Sequence, residues 1–180
     1  KKHSRREHLN DFHLNVAGEY VYDGALYACQ NDDAKQRRSK RAVWGMAAIL
    51  TVAVAAGGCI PAPGMQNCFY VLLPYLGEFL GSASVIWALA KLGTDWSTVR
   101  EYNYKKSVAV LPVRTAVTAV FSGLGIVCEL IFFFVNDHAG QTFFALLYVL
   151  LKLIALLSVL VLRAEIMQAE WDKLPKKNNF

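Results

Sequence analysis

The chain has 180 residues, room for one compact domain and hardly for two. Hydrophobic residues make up 55% of it, above the ~45–50% usual in soluble domains. The formal net charge of +5 would suit a nucleic-acid partner in a soluble protein. No zinc-finger spacing or RNP-type sequence supports one, so no nucleic acid is expected.

Residues 1–41 are polar and hold nine Lys and Arg. So long a charged stretch ahead of the first apolar block argues against a signal peptide. Residues 19–28 read EYVYDGALYA. Asp23-Gly24 suits a type I′ turn, which would set Tyr20, Tyr22 and Tyr27 on two short strands. The competing reading is an amphipathic helix on the membrane surface, with Phe12, Val16, Tyr20 and Tyr27 toward one side. Next comes NDDAKQRRSKRA. Here Asn31 or Asp32 caps a helix with acids in its first turn and bases behind them, and this helix can continue into the first apolar block. Arg37, Arg38, Lys40 and Arg41 read as a topology anchor, or more sharply as a site for anionic lipid headgroups.

Four apolar blocks follow, at about 42–60, 68–92, 108–135 and 142–162. Each is near or above the ~20 residues that cross a hydrocarbon core as a helix. They are too long and too continuously apolar for barrel strands. The expected fold class is an all-α integral membrane protein, a four-helix transmembrane bundle over 42–163. It has a short N-terminal segment (1–41) and a tail (164–180). The links between blocks one and two and between blocks three and four hold no Lys or Arg. The N-terminal segment, the loop 91–107 and the chain from Arg163 onward hold seventeen. That asymmetry predicts both termini in the cytoplasm, with the plasma (inner) membrane as the expected location. Trp44, Trp87, Trp96 and Trp171 fall near the same ends, at headgroup level. Short links predict two antiparallel hairpins, with Pro61 and Pro63 stopping the first helix.

Cys59 and Cys68 flank the first link. A bridge between them would staple helix to helix, and two free, buried thiols are the alternative. Gly77 and Gly81 form a GxxxG, read as close helix packing within the bundle or as a homodimer face.

Four ionisable residues lie inside the blocks: Glu78, Arg114, Glu129 and Lys152. At ~1.5 Å per residue, Glu78 and Lys152 lie nearly level, ~15 Å from the outer ends of their helices, and Glu129 ~10 Å from its own. Arg114 is close enough to the cytoplasmic start of its helix to snorkel. Burial favours the neutral form of a carboxyl, and a nearby ammonium favours the charged form. Glu78, Glu129 and Lys152 therefore form a candidate substrate, ion or proton site. The competing readings are an interhelical salt bridge or a contact to a partner subunit.

No nucleophile elbow, P-loop, HExxH or Rossmann pattern occurs, and no His/Cys cluster has metal-ligand spacing. The expectation is a non-enzyme without cofactor or metal. It is a small solute or ion carrier, with proton coupling as an option and oligomeric, or else an accessory or scaffold subunit of a larger membrane complex.

Overall fold

The computed structural model describes residues 12–14, 18–22, 24–136 and 142–174. Asp23 and Val16 of the expected N-terminal elements lie outside them. In chain order the elements are β1 (Phe12–Leu14), β2 (Tyr20–Tyr22), β3 (Leu26–Cys29), α1 (Asp33–Cys59), α2 (Pro63–Asn67) and α3 (Phe69–Leu92). Then come β4 (Val99–Arg100), α4 (Glu101–Lys106), α5 (Leu111–Val135), α6 (Thr142–Gln168) and β5 (Trp171–Lys173).

The protein is mostly helical, and α1, α3, α5 and α6 are long and apolar enough to cross a membrane. Residues three to four apart share one helix face, and in each long helix such a row is buried. On α1 it runs Ser39, Val43, Ala47, Leu50, Val54; on α5 it runs Thr115, Thr118, Ser122, Gly125, Glu129. The opposite faces are apolar too. Val52, Leu80 and Leu157 are 67%, 67% and 61% exposed, while Glu78, Glu129, Lys152 and five Ser/Thr residues of the long helices' middle turns are buried. Polar groups inside and leucines outside invert the pattern of a soluble domain. A lipid surround is the solvent that favours it.

α1 packs chiefly on α6, α6 on α5, and α5 on α3, with a lighter α1–α3 contact closing the ring. The expected pair α5 and α6 is thus tightly packed. The other expected pair, α1 and α3, is the loosest of the four. GxxxG serves the α3–α5 seam. A Cβ on Gly77 would stand 2.5 Å from Phe121, and one on Gly81 would stand 2.6 Å from Thr118 Oγ1. The face offered as a homodimer surface is therefore covered by α5.

One end of the bundle carries a three-stranded antiparallel sheet in the order β4-β3-β5. Its strands from the central loop and the tail are not among the expected elements. Leu26 and Tyr27 pair with Arg100 and Val99, and Tyr27, Ala28 and Cys29 pair with Lys173, Asp172 and Trp171. The expected Tyr20–Tyr27 hairpin does not form. β2 pairs with β1, and β3 pairs with the central loop and the tail. A two-stranded hairpin is marginal alone. Here β3 gains two partners and a layer of aromatics instead: Tyr27 stacks on Tyr104 at 4.1 Å, and Trp171 lies 5.8 Å from the buried Trp96. N-terminal segment, central loop and tail therefore meet at this sheet end.

Asp32 stands at the N-cap of α1 without a side-chain cap bond, and α1 runs unbroken through the basic run into the first apolar block. α3 stops at Gly93, whose φ of 71° suits glycine. The link at the opposite, far end is more than a bare connection. α2 starts at Pro63, folds against α3, α5 and α6, and buries Ala62, Pro63 and Gly64.

That placement also bears on the disulfide. Cys59 closes α1 and Cys68 caps α3, and both thiols are free. The bridge expected between them is absent. α1 packs on α6 far more than on α3, and α2 packs on α3, α5 and α6, so the two helix ends are not drawn together into a bridge.

A buried charge cluster as candidate functional site

Glu78 on α3 and Lys152 on α6 form an ion pair inside the bundle, with residue exposures of 0% and 2%. Lys152 Nζ also lies over two aromatic rings, 4.6 Å from the Tyr75 centroid and 5.1 Å from that of Tyr148. The ammonium thus has a carboxylate and two π faces around it, an arrangement that suits a desolvated cation.

Several glycines make room for these side chains. Gly58 of α1 leaves the space that the Tyr75 hydroxyl fills, and that hydroxyl donates to the Val54 carbonyl at 3.3 Å. Gly57 faces the Tyr148 ring. A Cβ on Gly125 of α5 would stand 3.6 Å from Lys152 Cε and 3.7 Å from its Nζ. Ser122, one turn earlier, donates to the Lys152 carbonyl at 3.3 Å and ties α5 to α6 at this level.

Glu129 follows Gly125 by one turn of α5, about 6 Å nearer the far end. It is fully buried; no side chain among the described residues hydrogen-bonds its carboxyl, and the backbone N–H of Gly64 on α2 faces it. Gly64 of α2 lies against this carboxyl so closely that a Cβ there would overlap it. Lys152 is engaged by Glu78, and no ion pair joins it to Glu129 among the described residues. Glu78 Oε1 and the Tyr148 hydroxyl are buried without a partner. Glu78 Oε1 and the Tyr148 hydroxyl thus belong to the groups around the ammonium, and the Glu129 carboxyl lies one turn beyond. The Glu78–Lys152 contact is the interhelical salt bridge that the sequence offered as one reading of these charges; buried polar atoms left unpaired beside it cost on the order of 1–3 kcal/mol each.

Of the residues singled out from sequence, Glu78 and Lys152 are brought into contact and Glu129 next to them. Arg114, near the start of α5, is half-buried, and its Nη1 donates to the Ser84 carbonyl of α3 at 2.6 Å. Arg37, Arg38 and Arg41 stand exposed on the first turns of α1 and, with Asp33, line an open hollow of about 530 Å³. Lys40 turns away, its amine 5.8 Å above Trp96. Sequence reading missed Tyr75, Tyr148 and Gly64. Tyr75 sits three residues before Glu78 and Tyr148 four before Lys152, a helical spacing that marks both as neighbours of the charges. No group of three or more His, Cys, Asp or Glu suited to a metal occurs among the described residues.

What fold and site define is a class: a mostly helical bundle of four helices with membrane-spanning length and character, enclosing a charged cluster. Comparison with protein-family models, curated proteins and solved structures returned no match to this chain.

Proposed function

We propose that this chain is a small multi-pass carrier for a solute or ion, coupled to protons, with Glu78, Glu129 and Lys152 as its working site. It works without catalysis or a cofactor. It lies in the plasma (inner) membrane with both termini in the cytoplasm, where the seventeen-to-none distribution of Lys and Arg orients it.

One observation carries this reading: Glu129 is buried, has no cationic side chain in contact, and stands beside an occupied ion pair. An isolated carboxylate in an apolar interior is far costlier than the neutral acid, so Glu129 rests protonated. It then serves as a proton store that an arriving positive charge can empty. Pairing Glu78 with Lys152 inside one chain also favours a carrier over an accessory subunit, whose intramembrane charges would face a partner's helices.

The test is flux into proteoliposomes carrying a trapped pH dye, under an imposed pH gradient and with added monovalent cations. Wild type is expected to pass a cation-dependent proton flux, and both Glu78→Gln and Glu129→Gln are expected to lose it. Unchanged flux in both variants overturns the reading.

A second reading, an accessory subunit or scaffold, rests on the β1–β2 ribbon, where Leu14 and Tyr20 are 58% and 75% exposed. Such a ribbon would dock a cytoplasmic protein. A pull-down in mild detergent that returns only the chain itself, as monomer or homo-oligomer, counts against it.

A further inference from the structure

We infer that the cage formed by Tyr75, Tyr148 and Glu78 is the seat of a small organic ammonium ion, which Lys152 occupies until such a cation displaces it. This deepens the carrier reading and rests on it.

The ammonium of Lys152 is itself an alkylammonium on a four-carbon chain. Two tyrosine faces at 4.6 and 5.1 Å and a carboxylate are the groups that recognise such ions. The same walls hold two further acceptors without donors, Glu78 Oε1 and the Tyr148 hydroxyl oxygen. An incoming R–NH3⁺ brings three N–H donors, one for the carboxylate oxygen that Lys152 now holds and two for these acceptors.

The displaced lysine has a place to go. Its amine already passes Gly125, where the missing side chain leaves the α5 surface open, and Glu129 waits one turn beyond. With a flexible four-carbon stem, rotation about the side-chain bonds covers that step. The groups facing Glu129 from the surrounding elements are few. Tyr70 comes from α3, Lys152 and Tyr148 from α6, the Gly64 backbone N–H from α2, and Cys128 is its neighbour on α5. Of these, Lys152 is the one that carries positive charge.

Charge balance then fixes the stoichiometry. At rest the site holds Glu78 as carboxylate, Lys152 as ammonium and Glu129 as neutral acid, a sum of zero. When loaded, R–NH3⁺ pairs with Glu78 and Lys152 pairs with ionised Glu129, again zero. The O–H bond of Glu129 breaks, its proton leaves to water, and one ammonium ion enters. Exchange is one cation for one proton and electroneutral.

The probe is n-butylammonium, which copies the lysine side chain. Its binding to the purified full chain is measured by titration calorimetry in two buffers of different ionisation enthalpy, which counts released protons. Wild type is expected to bind it and release about one proton. Tyr148→Leu, which removes a cage wall, is expected to weaken binding at least about tenfold, and Tyr148→Phe, which keeps the ring, to weaken it by less than about threefold. Glu129→Gln is expected to abolish proton release. If n-butylammonium gives no binding while sodium or potassium releases the proton through Glu129, the organic-cation assignment falls and the carrier reading stands. If no cation releases a proton and proteoliposome flux is absent, both fall. Equal affinity in Tyr148→Leu and wild type also overturns the cage.

Discussion

The two halves of the bundle solve burial differently. At the sheet end, Val43, Ala47, Val85, Leu89, Trp96, Leu111 and Leu162 pack into one apolar cluster capped by the aromatic side chains around β3. Its arginines near the helix ends each donate to a backbone carbonyl, Arg114 to that of Ser84 and Arg163 to that of Pro112. Toward the far end, the interior is charged, spaced by glycines and short of hydrogen-bond donors. The first half resembles a core built for stability. The second gathers its unpaired oxygens around a buried charge, whereas at the sheet end the buried atom without a partner in the apolar cluster is Trp96 Nε1.

If that division holds, substitutions in the two halves differ in kind as well as in size. The largest effect is expected at the ion pair. Lys152→Met leaves Glu78 buried without its partner, at a cost of about 3–5 kcal/mol. The double substitution with Glu78→Leu is expected to recover most of that. Thermal unfolding in detergent measures both, and equal losses in the single and double variants would mean that the pair is not coupled.

Trp96→Ala at the sheet end empties a large, fully buried volume and is expected to cost about 3–5 kcal/mol as well. Proton-linked flux per folded molecule should nevertheless persist. Loss of flux in the remaining folded protein would break the division drawn above. Gly64→Ala works the other way. Its Cβ collides with the Glu129 carboxyl, so a modest cost of about 1–3 kcal/mol is expected together with loss of flux. The control is Gly45→Ala, exposed on α1 with nothing near the added methyl. It is expected to stabilise by about 0.5–1 kcal/mol and leave flux unchanged.

The smallest effect concerns the exposed loop before β4. Asp95 accepts hydrogen bonds from the Ser97 hydroxyl at 2.6 Å and the Ser97 backbone N–H at 3.0 Å, and these hold its carboxyl below the usual range. A depressed carboxyl contributes stability above its unfolded pKa and loses it as pH falls through the folded one. Ser97→Ala is expected to raise the Asp95 titration midpoint seen by NMR. The unfolding midpoint at neutral pH should stay within error, because the carboxyl is solvent-exposed.

Sequence alone determined the four helices, their approximate limits and the residues of the charged set. Long apolar runs have one solution in lipid, and an ionisable residue within such a run stands out without any knowledge of the fold. Only the tertiary structure decided which groups meet. Depth along a helix says nothing of azimuth, so Glu78 pairing with Lys152, and Glu129 left outside that pair, depended on how the α3–α5 and α5–α6 faces rotate together. The Cys59–Cys68 bridge and the Tyr20–Tyr27 hairpin failed for a related reason. Local spacing favoured both, but α1 found its main partner in α6, and β3 found partners more than seventy residues away. Nearness in sequence sets what is cheap to close; the faces buried by the whole bundle set what is closed.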